Sequence, residues 1–414
     1  MKIDWNALLK EAEEHLQKGG LPTQMMMAKF LEQRLPVDEK DSSALAVQLA
    51  MFHAQTRYGY VESSKLEGCL LGGAVGDALG YPVEFYSWKE IQSALGENGV
   101  EGYLNSDLAL ISDDTQMTLF TAEGILRAEL GWELGTDVKL NDYVRCLHES
   151  YLDWYVTQNA GHFVGARSWW SELREHKGLY KQRAPGGTCL SALGSGKCGS
   201  FDEKLNDSKG CGGLMRVAPI GAYFAQKIEV SYNEIAYLAA RAAAITHSHP
   251  LGYIPAGFFA AWIAIILRGE SLERAFKRAK IITQNMFLDR RETQGFLDLL
   301  DLAKDMAALD IEREAVEEVI YDPESIERLG GGWVAEEAMA IAVYCVFRYP
   351  QSYEKAVLAA VNHGGDSDST GSVTGNIMGA FYGVRGIPPH LLRNLELREL
   401  ISHTAKRMKL HELV

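Results

Sequence analysis

Glycine recurs at every fourth position in two segments that lie far apart in the chain. The first segment is LEGCLLGGAVGDALG, with Gly68, Gly72, Gly76 and Gly80, and the second is GSVTGNIMGAFYG, with Gly371, Gly375, Gly379 and Gly383. The surrounding apolar residues predict helices, in which a glycine is less favourable than an alanine by about 1 kcal/mol. Residues four apart lie on one helix face, and the contacting side chains set the distance between packed helices. We therefore expect the two helices to pack unusually closely.

Acids and hydroxyls are concentrated in two short motifs, each placed directly before a predicted helix. The SDDT motif begins at Ser112 and the DSDST motif begins at Asp366. Either motif alone is typical of a helix N-terminus, where such side chains cap free N–H groups. If the motifs met, their carboxylates would repel one another unless cations held them. Carboxylate and hydroxyl oxygens suit Mg²⁺ or Mn²⁺ better than zinc, so convergence predicts a two-metal site that activates water.

Most of the chain is predicted to be helical, and we expect an all-α fold. Helical periodicity runs through TQMTLFTAEGILRAEL, YNEIAYLAARAAAITH, ETQGFLDLLDLAKDM, AEEAMAIAVYCVFRYP and YEKAVLAAVNHGG, whereas alternating patterns typical of strands are few and short. A stretch rich in glycine and serine, residues 183–213, is too long for an ordinary connection and predicts a functional loop. We expect residues 61–414 to form one compact helical domain.

Residues 1–60 have a different character and are predicted to be an N-terminal helical extension. They contain amphipathic helical patterns that are interrupted by the polar stretch PVDEKDSS, and they carry no cluster of potential ligands. We interpret the extension as an appendage that packs on the domain, and the alternative is an arm that binds a partner.

Composition argues against several classes of partner. Lys and Arg number 41 against 55 Asp and Glu, and the net charge of −14 disfavours nucleic acid and anionic membranes as partners. The six cysteines are scattered, which fits reduced thiols in the cytoplasm. The N-terminus lacks the apolar core of a signal peptide, and the longest apolar window, residues 250–267, is interpreted as a core helix rather than a membrane span. We expect a cytoplasmic protein without a membrane partner.

The motifs together resemble a known family. GDALGYPVE, SDDTQMT, GCGGLMRVAPIG, THSHP, GGGWVAEEA and NHGGDSDSTGSVTGNIMGA occur in the order seen in the ADP-ribosylglycohydrolase family. That family includes the dinitrogenase-reductase-activating glycohydrolase and the ADP-ribosyl-arginine hydrolases, and the likeness covers residues 64 to 390. The resemblance implies an all-helical fold with two Mg²⁺ or Mn²⁺ ions at its centre.

The resemblance also implies which residues bind the metals. The matching ligands are Ser112, Asp113, Asp114, Asp366, Asp368 and Ser369. Serine stands at two positions where relatives often have threonine, and it keeps the ligating oxygen. Glu84 matches an acid that approaches the metals and the distal ribose in relatives, which implies a catalytic role; otherwise it would be a surface glutamate after a turn.

Substrate contacts are implied by three further matches. The SKGCGGLMRVAP segment resembles the loop around the ADP-ribose diphosphate, with Ser208, Gly210, Cys211, Gly212, Gly213 and Met215 as candidate contacts. Its glycines would turn backbone N–H groups toward an anion. Relatives frequently have asparagine in place of Cys211, so an amide donor is missing here. Arg216 would either neutralise a phosphate or tie the loop to the core.

His247 matches a family histidine near the nucleotide, and the alternative is a histidine packed in the core. Trp333 would contact adenine or fill the core.

The resemblance implies hydrolysis of the N-glycosidic bond between ADP-ribose and a protein arginine, with Glu84, Asp113 and Asp368 as the catalytic residues. Serine-linked, base-linked and O-acetyl-ADP-ribose are alternative substrates. Some bacterial relatives resemble immunity proteins, so residues 1–60 are also a candidate arm that blocks an ADP-ribosylating toxin. A helical di-iron oxidase is disfavoured because it would need Glu-x-x-His pairs, and none is present around either acidic motif.

Overall fold

The structure is a computed structural model, and it describes residues 61–105, 107–133, 139–159, 170–317 and 323–409. The predicted extension, residues 1–60, lies outside the described residues, so both interpretations of it remain predictions. Residues Val61–Glu412 form a compact unit by themselves.

Helices supply the regular structure of the described residues, which confirms the predicted all-α fold class. The α-helices are α1 (Ser63–Gly80), α2 (Trp88–Leu95), α3 (Asp113–Glu133), α4 (Leu140–Gln158), α5 (Gly187–Gly194), α6 (Ala218–Phe224), α7 (Tyr232–Ala244), α8 (Pro250–Leu267), α9 (Leu272–Met286), α10 (Glu292–Glu317), α11 (Pro323–Glu327), α12 (Ala335–Arg348), α13 (Tyr353–Val361), α14 (Ser367–Tyr382), α15 (Pro389–Arg393) and α16 (Arg398–Arg407). Two isolated bridges, Ala109–Leu395 and Gly210–Val334, are the β-type pairings in the described part of the chain.

Helices α1 and α14 pack through their glycines, as the sequence predicts. The two helices run antiparallel, so that Gly72 faces Gly375 and Gly76 faces Gly371. A methyl carbon added at Gly375 would lie 2.1 Å from the carbonyl oxygen of Gly72. Backbone therefore contacts backbone along this glycine stripe, where even a methyl group would not fit between the two helices. Gly383 lies just beyond the end of α14 at Tyr382, with a φ of 71°, and it still packs against α1, since a methyl carbon there would lie 2.9 Å from Oγ of Ser64.

The apolar window identified in the sequence is the core helix α8. Its length and composition alone would allow it to cross a membrane, but 94% of the window is buried inside the fold. Helix α8 packs against α6, α7, α9 and α12. It therefore forms part of the core, as predicted.

The antiparallel packing of α1 and α14 brings the end of α1 beside the start of α14. A methyl carbon at Gly80 would lie 2.2 Å from the carbonyl oxygen of Ser367. The two helices begin slightly earlier than predicted and include most of the acidic motifs, since α3 begins at Asp113 and α14 at Ser367. Most of their acids and hydroxyls therefore occupy first helical turns.

The predicted functional loop, residues 183–213, also differs from expectation because it contains helix α5 and a short 3₁₀ turn, Cys211–Gly213.

Candidate metal centre and substrate cavity

The two acidic motifs meet, as predicted, at the start of α3 and α14. The Ser369 hydroxyl donates a hydrogen bond to Oδ1 of Asp114 at 3.3 Å, which joins the DSDST motif to the SDDT motif. Asp113 faces a third segment, where it accepts a hydrogen bond from the backbone N–H of Gly186 at 3.0 Å. Carboxylates from residues more than two hundred positions apart thus share one buried site.

Glu84 joins this cluster from the end of α1. A 3₁₀ turn, Tyr81–Val83, follows α1 and places Glu84 in the interior, where the residue is only 7% exposed. One carboxylate oxygen from each of Glu84, Asp366 and Asp368 lies within 4.8 Å of the others, which is close enough to hold one cation. Asp113 and Asp114 are not in this closest group, although they line the same cavity. Glu84 is therefore a candidate metal ligand as well as a candidate catalytic residue.

The cluster has the electrostatics of a cation site. Oε2 of Glu84 and Oδ2 of Asp114 are buried and have no hydrogen-bond partner among the described residues, an arrangement that is unfavourable unless something pairs with them. Burial, followed by repulsion from Asp368, raises the pKa of Glu84 to about 10. Burial also raises the pKa values of Asp113, Asp114 and Asp366 well above their ordinary range. Carboxylate and hydroxyl oxygens in this setting fit Mg²⁺ or Mn²⁺; the number of ions remains a prediction.

Asp77, on α1, is a functional residue that the sequence reasoning missed. It is fully buried and accepts hydrogen bonds from the backbone N–H groups of Ser112, at 2.9 Å, and Thr115, at 3.1 Å, and from the Thr115 hydroxyl. Burial and the neighbouring Asp368 raise its pKa to about 7. Asp77 fixes the start of α3 against α1. The sequence did offer a signal for this residue, because an acid in a helix that is otherwise apolar and rich in glycine is unusual and needs buried partners.

A cavity of about 330 Å³ opens beside the acidic cluster. Its described lining is Glu84, Phe85, Asp113, Asp114, Ala184, Pro185, Gly186, Gly187, Thr188, Cys189, Gly210, Cys211, Gly212, Met215, His247, Trp333, Asp366, Asp368 and Ser369. Most of the candidate substrate contacts are therefore at the cavity wall, but Ser208 and Gly213 are not. Ser208 accepts a hydrogen bond from the Gly210 N–H at 3.3 Å and so stabilises the loop from behind. Gly213 packs against the backbone of Gly252.

The glycines of the 210–213 loop serve packing more than the sequence suggested. The N–H of Gly210 is bound to Ser208, and the N–H of Cys211 donates to the Trp333 carbonyl at 3.1 Å, so these two groups do not face an anion as expected. A methyl carbon at Gly212 would lie 3.0 Å from Sγ of Cys189 and 3.1 Å from Cε1 of His247. The loop is thus pressed against the cavity wall.

Arg216 ties this loop to the core, which decides between the two roles considered for it. Its Nη2 donates to the Ala242 carbonyl at 2.9 Å and to the Thr246 hydroxyl at 2.8 Å. Its guanidinium also lies 4.1 Å from the ring centre of Tyr151, and the residue is fully buried. Arg216 is absent from the cavity lining and is a structural residue.

His247 lies on the cavity wall just after the end of α7, and its ring is buried. Nδ1 of its ring shares a hydrogen bond of 2.9 Å with the Thr246 hydroxyl. Burial, followed by the positive charge of Arg216, lowers its pKa to about 3, so the ring is neutral at physiological pH.

Trp333 lies at the edge of the cavity and does not fill the core. It is 44% exposed and stacks on Phe85, with ring centres 5.6 Å apart and planes 19° apart. Phe85 is 70% exposed and directly follows Glu84. The sequence reasoning missed this pair because the contact joins segments that are distant in the chain.

The start of α5 is a second missed element of the site. Gly186, Gly187, Thr188 and Cys189 all line the cavity. The first N–H groups of a helix have no partner within the helix, and helix N-termini therefore bind anions readily. The signal was present in the long loop noted above, but the helix within it was not recognised.

Once the metal is removed, the thermal stability of the protein should decrease as the pH rises. The folded-state pKa values of Asp77, about 7, and Glu84, about 10, exceed the value of about 4 expected in the unfolded chain. Without metal, protonated Asp77 and Glu84 contribute fully to folding stability at pH values below the unfolded-state pKa. This contribution is lost as the pH rises through the folded-state pKa values. We expect the melting temperature in EDTA to fall from about pH 5 to about pH 8, and the increase produced by Mg²⁺ or Mn²⁺ to grow over the same range.

Thermal unfolding at several pH values, with and without metal, tests this prediction. A variant with Asp113→Asn and Asp368→Asn serves as the control and should lose most of the metal-dependent increase. A metal effect that is larger at the acidic end would contradict the prediction.

Residues 60–414 match the model of the ADP-ribosylglycohydrolase family, and the chain belongs to that family. It is 24% identical to the ADP-ribosylhydrolase ARH3 of Mus musculus over 347 residues, which cover 78% of this chain and 85% of that protein. It is 23% identical to the ADP-ribosylhydrolase ARH1 of Dictyostelium discoideum over 399 residues, or 86% of this chain and 96% of that protein. Family membership supports hydrolysis of ADP-ribosyl linkages as the reaction of this protein.

A solved structure confirms the fold. A chain described as an ADP-ribosylglycohydrolase-related protein complex superimposes with a TM-score of 0.53 and 23% sequence identity. The match covers 84% of this chain and 98% of the other.

Proposed function

We propose that this protein releases ADP-ribose from arginine side chains of ADP-ribosylated proteins. The observation that supports this most is the meeting of the SDDT and DSDST motifs with Glu84 at the wall of one cavity. Asp366, Asp368 and the neighbouring carboxylates would hold two Mg²⁺ or Mn²⁺ ions. When bound, such ions would polarise ribose hydroxyls and water and lower the pKa of that water.

The reaction breaks the bond between the anomeric carbon of the ribose and a guanidinium nitrogen. Water adds its hydroxyl group to that carbon, and the nitrogen gains a proton, which gives free ADP-ribose and unmodified arginine. Glu84 is the carboxyl group best placed to hold and deliver the proton, because it lies on the cavity wall beside Asp366 and Asp368. Asp113 and Asp368 would stabilise positive charge that develops at the anomeric carbon.

The diphosphate of the substrate would bind at the first turn of α5. No Lys or Arg occurs among the described residues that line the cavity. Backbone N–H groups of residues 187–189 are therefore the local donors best suited to an anion. The neutral ring of His247 lies on the same wall and would contact the nucleotide.

Arginine is favoured over other acceptors by the stacked pair of Phe85 and Trp333. The pair lies at the cavity edge beside Glu84, where the leaving group would emerge. A guanidinium group stacks on aromatic faces and is attracted to them. The carboxylates of the cavity lining add to the attraction for a cationic acceptor. Serine and acetyl groups offer no such cation.

A panel of substrates tests the proposal. We expect wild-type protein to release ADP-ribose from an arginine-linked protein faster than from serine-linked protein, base-linked nucleic acid or O-acetyl-ADP-ribose. Trp333→Ala should lower kcat/KM for the arginine-linked substrate about tenfold, since cation–π contacts are worth about 1–2 kcal/mol, and should change the other rates less.

Tyr86→Ala is the matched control for this panel. Tyr86 is 45% exposed and close to Phe85 in the chain, but it does not line the cavity. Equal losses on all substrates in Trp333→Ala, or a preference of wild-type protein for another linkage, would overturn the arginine assignment.

A further inference from the structure

Cys211 places a sulfur atom among the candidate metal ligands. Its thiol donates a hydrogen bond to Oδ2 of Asp366 at 2.8 Å, and the Ser369 hydroxyl approaches the same sulfur at 3.5 Å. The backbone of Cys211 is held in place, because its N–H donates to the Trp333 carbonyl and the adjacent Gly210 pairs with Val334. The sulfur is therefore fixed beside two oxygens that the acidic motifs contribute.

Independent observations indicate that a cation belongs next to this sulfur. Oδ2 of Asp114 and Oε2 of Glu84 are buried without a hydrogen-bond partner in the part of the chain that the structure describes. Both residues line the cavity that Cys211 also lines. Oxygens of Glu84, Asp366 and Asp368 form the closely spaced group described above. These unpaired oxygens are unfavourable unless a cation binds to them, and this holds whether or not the sulfur is also a ligand.

A second thiol, that of Cys189, lines the same cavity but has no hydrogen bond to the acidic cluster. The sulfur of Cys189 lies 3.5 Å from Nη1 of Arg216 and 3.9 Å from the Gly212 carbonyl oxygen. Both partners belong to the structural loop and not to the acidic cluster. Cys189 is thus a natural control for Cys211.

We propose that the sulfur of Cys211 is a further ligand in the acidic site, which lets this site also bind thiophilic divalent cations such as Zn²⁺, more tightly than its oxygen ligands alone would. Thiolate sulfur favours zinc and similar metals, whereas Mg²⁺ favours oxygen. On binding, the thiol proton leaves to solvent, one sulfur–metal bond forms, and Asp366 exchanges its hydrogen bond for the cation. This inference concerns metal binding and does not depend on the reaction proposed above.

Cadmium titration of the full-length, reduced, metal-free protein tests the inference. Cd²⁺ resembles Zn²⁺ in its affinity for sulfur, and a thiolate bound to Cd²⁺ gives an ultraviolet charge-transfer band. We expect wild-type protein and Cys189→Ser to develop this band together, and Cys211→Ser to lack it. Calorimetry should show Cd²⁺ binding weakened at least about 100-fold in Cys211→Ser, with Mg²⁺ binding changed less than about threefold.

Serine keeps a hydrogen-bond donor for Asp366, so Cys211→Ser should fold, and its circular dichroism and melting temperature verify this. The absence of a band in wild-type protein, or an undiminished band in Cys211→Ser, would overturn the inference. Equal weakening of Cd²⁺ and Mg²⁺ binding would also overturn it, because sulfur would then not account for the tighter binding of the thiophilic cation.

Discussion

Replacing Asp368 by asparagine is expected to lower the rate of ADP-ribose release by about 1,000-fold, a loss similar to the removal of one essential charge-stabilising group. Asp368 lies at the centre of the acidic cluster. Its Oδ1 accepts a hydrogen bond from the Ser369 N–H at 2.9 Å, and burial together with the charge of Asp368 raises the pKa values of Asp77, Glu84 and Asp114. Asparagine has the same shape and keeps the contact with Ser369, so the loss would reflect the missing charge. Steady-state rates at saturating metal give the measurement.

Asp310→Asn is the matched control for this prediction. Asp310 is also a buried aspartate, but it lies on α10 and accepts a hydrogen bond from Tyr344 at 2.7 Å, outside the cavity lining. Asparagine can still accept that bond, and we expect less than about a twofold change in rate. If Asp368→Asn retained activity close to that of Asp310→Asn, the acidic cluster would not be the catalytic centre.

Gly375→Ala is expected to reduce the free energy of unfolding by more than about 3 kcal/mol, at or above the upper end of the usual effect of overpacking. The added methyl carbon would lie 2.1 Å from the Gly72 carbonyl oxygen, so the backbones of α1 and α14 would have to separate. The same separation would move Glu84 away from Asp366 and Asp368, since these residues lie at the adjoining ends of the two helices. Metal affinity should therefore fall together with stability in urea unfolding and calorimetry.

Gly295→Ala is the matched control, and we expect it to stabilise the protein. Gly295 lies in α10, and a methyl carbon there would meet nothing within 4 Å. Alanine should stabilise this exposed helical position by about 0.5–1 kcal/mol. A Gly375→Ala variant as stable as Gly295→Ala would contradict the close packing of α1 and α14.

The sequence was sufficient for the features that depend on local pattern. Helical periodicity predicted the all-α fold, and the glycines at every fourth position predicted the contact between α1 and α14 without any knowledge of the structure. The acidic motifs at two helix starts predicted a cation site once that contact was assumed. The fold class and the helix contact are confirmed, because each rests on residues that share one helix face. The two motifs do meet, and the cation site itself stays a prediction.

Features that depend on contacts between distant segments could not be predicted in this way. The stacking of Phe85 on Trp333 and the hydrogen bond between Cys211 and Asp366 each join loops whose positions only the complete fold determines. Helix α5 was missed because glycine and serine are weak helix formers, and packing overrides that preference. Asp77 was missed because its partners, Ser112 and Thr115, lie at the start of α3, which is distant from Asp77 in the sequence.

We propose that the buried carboxylates hold divalent cations at which an ADP-ribosyl bond is hydrolysed. Release of ADP-ribose from an arginine-ADP-ribosylated protein, measured with Mg²⁺ or Mn²⁺ and then with EDTA, tests it most directly. We expect release that stops in EDTA and returns when the metal is restored. Release that EDTA does not affect, or no release from any ADP-ribosyl linkage by folded protein with bound metal, would contradict the claim.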